Sequence, residues 1–131
     1  MASNLTVDTL TKGATTLNTD ELVDVNNTRV CKAWVNFNGS GTVAIRASYN
    51  VSSIVDNGTG LYTVNFTTVM PDTNYSYVAS GAENLSSTRS DLGVNASSSN
   101  VVLVGSIKIS TVYASTSALF DANAACVAIY R

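Results

Sequence analysis

Every second residue between positions 31 and 37 is apolar, and this alternation constrains the fold more than any other feature of the chain. It predicts a β-strand with one apolar face, formed by Cys31, Ala33, Val35 and Phe37. The pair Asn38-Gly39 follows, and Asn-Gly supplies the positive φ angles that a tight hairpin turn needs. Residues 42–48 are therefore predicted to return as the partner strand, with Arg46 facing outward. The core-facing residues at this second strand are predicted to be Val43, Ile45, Ala47 and Tyr49.

Short apolar runs separated by turn residues continue along the rest of the chain. Residues 51–55 and 61–67 are predicted to pair as a second hairpin across the Gly-rich segment 56–60. Pro71 interrupts strand pairing because it lacks an N–H group. Later strands are predicted at 75–80, 101–104, 107–113 and 126–130, with a long loop at 81–100 and a loop or single helical turn at 115–123. Residues 29–131 are thus predicted to form one all-β domain, an antiparallel β-sandwich or jelly roll of about eight strands.

Residues 1–28 have a different pattern from the rest of the chain. Their apolar residues are spaced too irregularly for a helical stripe or a long strand, so we predict an extended N-terminal arm with a short strand near Leu5 and Val7. Such a segment cannot cover its own apolar side chains, and these are expected to lie on another surface, such as that of a neighbouring subunit. The arm residues assigned to this contact are Leu5, Val7, Leu10, Leu17 and Leu22.

Charge is scarce in this chain and excludes two classes of partner. Only 12% of the 131 residues are charged, and seven basic against nine acidic residues give a net charge of -2. With a pI near 4.7 the chain has no basic patch for nucleic acid or anionic lipid, so neither is expected as a partner. The N-terminus lacks the basic segment and apolar core of a signal peptide, and no apolar run would span a bilayer. We therefore expect a soluble protein made in the cytosol of its producer.

Histidine is absent from the sequence, which removes the commonest general base and metal ligand. Paired carboxylates could still cleave glycosidic bonds, and the candidates are Asp56, Asp72, Asp91 and Asp121. Each lies in a predicted loop, where an aspartate commonly accepts hydrogen bonds from its own turn. The cluster Asp20, Glu21 and Asp24 is expected to be solvated in the arm. The sequence therefore predicts a protein that is not an enzyme and needs neither a cofactor nor a metal.

Trp34 and the two cysteines leave alternatives open. Trp34 falls on the strand face opposite Val35 and Phe37, so it is predicted to pack in a second layer, a subunit interface or a ligand site. Together with the tyrosines it would suit a sugar-stacking surface, although core and subunit packing explain these aromatic residues better. Cys31 and Cys126 are predicted to be buried free thiols, with a disulfide between the first and last strands as the alternative.

One long stretch of the sequence resembles a known family. The run CKAWVNFNGSGTVAIR at 31–46, followed by VSSI at 51–54, DNGTG at 56–60, YTVNF at 62–66, MPD at 70–72 and NY at 74–75, closely resembles the C-terminal β module of tailed-bacteriophage fibre proteins. The segment VDTL at 7–10 looks like the short N-terminal segments of small phage virion proteins. The resemblance implies a trimeric component of the virion.

The length of the arm decides which virion role the resemblance favours. A fibre needs an attachment domain and a long stalk, and about 28 arm residues supply neither. A short arm with one β module is the plan of a capsid decoration, or cement, protein, so we predict a homotrimer that binds the major capsid protein or another virion protein. Trp34 joins the arm residues as a predicted subunit or capsid contact. The alternative is a fibre or receptor-binding tip that touches host glycans through Trp34, the tyrosines and loop 81–100.

Overall fold

The computed structural model describes residues 9–12, 15–18, 30–83, 93–94, 102–113 and 116–131. These residues form strands and turns without a helix, so this part of the chain has no helical segment that would cross a membrane. The strands are β1 (Thr9–Lys12), β2 (Thr15–Asn18), β3 (Cys31–Asn38), β4 (Ala44–Tyr49), β5 (Val51–Asp56), β6 (Leu61–Phe66), β7 (Ser76–Ala82), β8 (Gly93–Val94), β9 (Val102–Leu103), β10 (Ser106–Val112) and β11 (Ala124–Tyr130). The predicted all-β class is confirmed.

The chain divides into two compact units, residues 1–30 and residues 31–131. In the first unit β1 and β2 pair antiparallel, with Leu10 opposite Leu17 in the register. Two residues, Gly13 and Ala14, separate these strands in the sequence. The predicted arm therefore contains a hairpin that alternation alone did not indicate. The short strand expected near Leu5 and Val7 lies outside the described residues.

The second unit is a sandwich of two antiparallel sheets. The four-stranded sheet has the order β4-β3-β11-β7, and the five-stranded sheet has the order β5-β6-β10-β8 with β9 also pairing with β10. Every described pairing between these strands is antiparallel. The predicted antiparallel β-sandwich is thus confirmed. The chain first passes from the four-stranded sheet to the five-stranded sheet between β4 and β5.

The core lies between the inward faces of the two sheets. The central strands contribute the buried residues Ala33, Val35 and Phe37 of β3, Tyr62, Val64 and Phe66 of β6, Ile107 and Ile109 of β10, and Val127 and Ile129 of β11. The predicted apolar face of β3 is therefore confirmed at Ala33, Val35 and Phe37, while Cys31 at the start of the strand is half-buried. Phe37 meets Tyr62 edge to face with ring centroids 5.1 Å apart, which joins the two layers.

The prediction for β4 is wrong at Ile45, Ala47 and Tyr49, which are exposed. A β-bulge causes the error at the last two positions: Phe37 pairs with Ile45 and Asn36 with Ala47, so Arg46 is an extra residue in the ladder. Beyond the bulge the alternation is reversed, and Tyr49 lies opposite the outward-facing Trp34. Ile45 keeps the inward register but remains 37% exposed at the edge of the sheet. Val43, before the strand, does pack against the core.

Asn50 carries the chain from one sheet to the other. Its φ of 54° lies in the left-handed region, which asparagine tolerates better than most residues. The side-chain amide donates to the carbonyl oxygens of Lys32 (3.0 Å) and Thr68 (3.1 Å), and its Oδ1 accepts from the Thr68 N–H at 2.7 Å. One side chain thus satisfies three backbone groups at the crossing between the layers.

Candidate functional site

Four side chains lie in one row across the outward face of the four-stranded sheet. Register places Tyr49 of β4 opposite Trp34 of β3, Trp34 opposite Ala128 of β11, and Ala128 opposite Val78 of β7. We call Tyr49, Trp34, Ala128 and Val78 the apolar row. Directly opposed residues in antiparallel strands share a face, with Cβ atoms about 4.5–5.5 Å apart. The row therefore forms a continuous apolar band at right angles to the strands.

The apolar row is open to solvent in the isolated domain. Trp34 is 40% exposed, Tyr49 58% and Val78 64%. For the two aromatic residues these fractions correspond to about 100 Å² or more of accessible surface each. Single exposed apolar residues are ordinary, whereas the largest contiguous apolar patch on a monomer, commonly about 300–600 Å², is often a functional surface.

The other side chains of this outward face are mostly short and uncharged, with Lys32, two residues from Trp34 on the same face of β3, as a charged exception. Beside the row lie Cys126 and Ser80, which oppose each other in the register, and Tyr130 adds an aromatic side chain that is 42% exposed. Arg46 points its guanidinium at the end of the sheet, where Nη2 donates to the Asn123 carbonyl at 2.6 Å and Nη1 to the Phe37 carbonyl at 3.3 Å. Arg46 therefore stabilises the bulge through these hydrogen bonds, and its charge does not lie at the centre of the apolar row.

The five-stranded sheet presents a different outer surface. Register brings Ser53 and Ser106 to either side of Asn65, and the Asn65 amide donates to Ser53 Oγ at 3.0 Å. In the neighbouring row Lys108 is exposed beside Thr63, whose hydroxyl accepts from the Asn57 amide at 2.8 Å. Such a hydrogen-bonded polar surface is typical of a sheet face in water. Val55 (45% exposed) and Leu103 (41%) lie in the same two rows, so this outer face mixes hydrogen-bonded polar side chains with separate apolar ones.

Two candidate carboxylates serve the turns in which they lie, and a third serves a turn that is remote in the sequence. Asp56 Oδ1 accepts from the Gly58 N–H at 2.9 Å, and Asp72 Oδ1 accepts from the Asn74 N–H at 2.7 Å. Asp121 Oδ1 accepts from the Gly60 N–H at 2.7 Å. The Asp72 carboxylate also binds Arg131 at 2.5 Å. The predicted role in the residue's own turn is confirmed for Asp56 and Asp72, whereas Asp121 binds the remote 57–60 turn; Asp91 and the cluster Asp20, Glu21 and Asp24 lie outside the described residues.

Tyr62 joins three turns at one end of the sandwich. Its hydroxyl donates to the Gly39 carbonyl at 3.0 Å and lies 3.2 Å from Asp121 Oδ1. Burial raises the pKa of Tyr62 to about 12, and the Asp121 carboxylate adds to the shift by its charge and its hydrogen bond. The phenol therefore stays protonated and links Gly39 to Asp121, whose carboxylate in turn accepts from the Gly60 N–H.

The tyrosines divide between the core and the surface. Tyr75 is buried, and its hydroxyl donates towards the carbonyl oxygens of Leu103 (3.0 Å) and Ser106 (3.2 Å). Burial also raises the pKa of Tyr75. Tyr77 and Tyr113 pack against the core. Most of the aromatic set considered for sugar stacking thus belongs to the core, and the structure brings only Tyr49 directly beside Trp34.

The remaining predicted residues are placed as follows. Trp34 lies in the apolar row, Leu10 and Leu17 oppose each other in the β1–β2 hairpin, and Leu5, Val7 and Leu22 lie outside the described residues. Cys31 and Cys126 are free thiols and half-buried, so the disulfide alternative is not realised. Within the described ranges no three His, Cys, Asp or Glu side chains cluster as a metal site would require. Of loop 81–100, residues 81–82 continue β7 and 93–94 form β8.

Sequence reasoning placed Trp34 on the outer face but missed its partners Tyr49 and Val78. Tyr49 was assigned to the core because the bulge at Arg46 was not foreseen, and Val78 becomes part of the row only through the pairing of β7 with β11. In comparisons, no family model, no curated protein and no solved structure matches this chain. The relation to phage fibre modules therefore stays a prediction from the residues of the 31–75 stretch.

Proposed function

We propose that this chain is a structural subunit of a bacteriophage virion, a homotrimeric capsid decoration protein that stabilises the head shell by contacts between protein surfaces. The observation that carries the proposal is the exposed apolar row on an otherwise small and mostly uncharged sheet face. A surface of this composition is suited to burial against another protein. The proposal assigns the chain no catalytic step and no cofactor, and its partners are its own copies and the major capsid protein.

The dimensions of the sheet support a role for the N-terminal arm as well. Four strands spaced about 4.8 Å apart, with a rise of about 3.3 Å per residue, make a face of roughly 20 by 23 Å. This area, about 450 Å², is close to half of the roughly 800 Å² that each partner buries in a standard interface. The remaining contact area has to come from elsewhere in the chain. Residues 1–28, with Leu5, Val7, Leu10, Leu17 and Leu22, are the proposed source.

Co-sedimentation with capsids assembled without this chain tests the proposal. Wild-type protein is expected to bind at local three-fold positions as a trimer, and Trp34→Ala is expected to weaken binding about thirtyfold, as loss of a central aromatic contact does. Val55→Ala is the matched control, because Val55 is 45% exposed but lies on the five-stranded sheet. Deletion of residues 2–24 is expected to abolish binding.

Capsid occupancy that does not change in either the Trp34 or the deletion variant would refute the proposal. If capsid occupancy changes only in the Trp34 variant, the N-terminal arm has no role in capsid binding. Circular dichroism of each variant establishes that the sandwich is still folded, so a loss of binding can be assigned to the surface.

A second candidate function is a receptor-binding tip, and the adjacency of Trp34 and Tyr49 favours it. Aromatic faces stack on the apolar faces of sugars, and the Asn36 side chain next to the row offers polar atoms for sugar hydroxyls. In this case the isolated protein would bind host cells or purified surface glycans, and Trp34→Ala would abolish that binding while the fold is retained. Absence of binding to host cells would leave the decoration role as the better explanation.

A further inference from the structure

β7 lies at one edge of the four-stranded sheet. It is joined to β11 through seven consecutive residue pairs, from Ser76 opposite Tyr130 to Ala82 opposite Ala124, without a register shift. Within the described ranges, no strand pairs with the other side of β7. An edge of this kind presents a row of backbone N–H and C=O groups to any strand that can approach it.

The other long edges of the sandwich are protected in ways that β7 is not. β4 contains the bulge at Arg46, and a bulge with a charged residue disrupts the regular spacing that strand addition needs. β5 has a register shift around Ser52 and ends in Asp56. The β7 sequence SYVASGA has no charged residue and no proline. Among the described long edge strands, β7 is therefore the one that has no bulge, no charged residue and no proline.

We infer that β7 pairs antiparallel with β7 of a second copy across a two-fold axis. The inference deepens the proposed self-assembly and rests on it, because it names one of the contacts between copies. Residues that directly oppose each other must lie on the same sheet face. Because side chains alternate between the two faces along a strand, the two-fold axis must pass beside a residue and not between two residues. Pairing centred on Ala79 is the register that matches all seven residues of each strand.

The side chains in this register are complementary in size. Tyr77 lies opposite the partner's Gly81 on the inward side, and an aromatic residue across from a glycine covers the surface that the glycine leaves open. Val78, which is 64% exposed, lies opposite the partner's Ser80 on the outward side. Both pairs occur twice because of the symmetry. The partner that fits this edge is therefore a second copy of the same strand.

A two-fold contact cannot close a ring of three subunits. In the proposed assembly the β7 contact consequently joins one trimer to the next, whereas the apolar row and the arm act within a trimer or against the shell. The expected particles in solution are pairs of trimers, or dimers where the three-fold contact is absent.

Two double variants that share one substitution test the inference. Val78→Lys with Ser80→Lys places like charges opposite each other at two positions, and we expect it to weaken the two-fold association about tenfold or more. Val78→Lys with Ser80→Glu carries the same loss of Val78 but places a lysine opposite a glutamate at the same two positions, so its two-fold association should be about tenfold stronger than that of the Lys/Lys variant. Ser53→Lys with Val55→Lys adds the same charge on β5 and should leave the association unchanged.

Native mass spectrometry and sedimentation velocity over a concentration series measure the outcome. Loss of the even-numbered particles in the Lys/Lys variant of β7 and their retention in the Lys/Glu variant would support the inference. If both variants lose them, the contact depends on the apolar row and the β7 pairing is refuted. If the Lys/Lys variant assembles like wild type, the inference fails while trimers leave the proposed function standing. A wild-type protein that stays monomeric at every concentration would overturn both.

Discussion

Replacement of Gly60 by alanine is expected to destabilise the sandwich far more than the same replacement at Gly41. Gly60 has a φ of 66°, and a Cβ atom added there would lie 2.7 Å from the Phe120 carbonyl oxygen and 2.8 Å from that of Thr111. Both oxygens belong to backbone that the Thr111–Phe120 hydrogen bond holds in place. Gly41 has nearly the same φ, 67°, but an added Cβ would meet no atom within 4 Å. Comparison of the two variants therefore separates the free-energy cost of the left-handed backbone conformation from that of the steric collision of the added Cβ atom.

The expected magnitudes follow from these two contributions. A left-handed conformation costs an alanine about 1–2 kcal/mol, and this is the whole effect expected for Gly41→Ala. At Gly60 the collision adds about 1–3 kcal/mol, the usual cost of overpacking a close-packed region. The free energy of unfolding should thus fall by about 2–5 kcal/mol in Gly60→Ala, a large part of the roughly 5–15 kcal/mol typical of a domain.

Urea unfolding followed by circular dichroism provides the comparison, because it reports the free energy of unfolding and its denaturant slope together. The analysis requires the slope to be the same in both variants, so that the shift in midpoint reflects stability alone. Equal losses in the two variants would refute the packing of the 57–60 turn against Thr111 and Phe120. A larger loss in Gly41→Ala would contradict the whole description of this end of the sandwich.

Two further predictions concern Tyr62 and Asp72. Because the folded-state pKa of Tyr62 is about 12 and the usual value is 10, its contribution is complete below pH 10 and disappears as the pH rises to 12, about 2–3 kcal/mol in all. Tyr62→Phe should flatten the fall in stability across that range in pH-dependent urea titrations. Asp72→Asn keeps the acceptor for the Asn74 N–H but loses the charge that binds Arg131, so thermal unfolding should show a loss below about 1 kcal/mol. Asp72→Ala, which removes both contacts, should cost more, and equal effects would contradict the turn role.

The sequence was informative where local pattern decides the structure. The alternation at Ala33, Val35 and Phe37 predicted the inward face of β3, because a regular ladder keeps successive side chains on opposite faces. Glycine and asparagine residues near 38–41 and 56–60 predicted the two hairpins, although the positive φ of the first turn lies at Gly41 and not at the predicted Asn38-Gly39 pair. The turn role of Asp56 also followed from local chemistry.

Features that depend on distant parts of the chain were not predictable in this way. Arg46, the extra residue of the bulge, donates a hydrogen bond to the Asn123 carbonyl oxygen. Asn123 is distant in the sequence, so the alternation of residues 42–49 gives no sign of this contact. Tyr49 lies beside Trp34 because of that bulge, so this part of the candidate site could not be predicted from the alternation either. Val78 joins the row only because β11 lies between β3 and β7, and such pairings between remote segments leave no trace in local periodicity.

The central position of β11 in the four-stranded sheet also sets the order in which the domain can form. β3 and β4 make a hairpin by local contacts, but β7 has no place in that sheet until β11 inserts between it and β3. Contacts between segments so far apart in the chain are slow to form, because a long loop must close before any stabilising contact is made. Until β11 is available, the backbone N–H and C=O groups on the β11 side of β3 stay unpaired, and folding of the sandwich is expected to be a late, cooperative event governed by the arrival of β11.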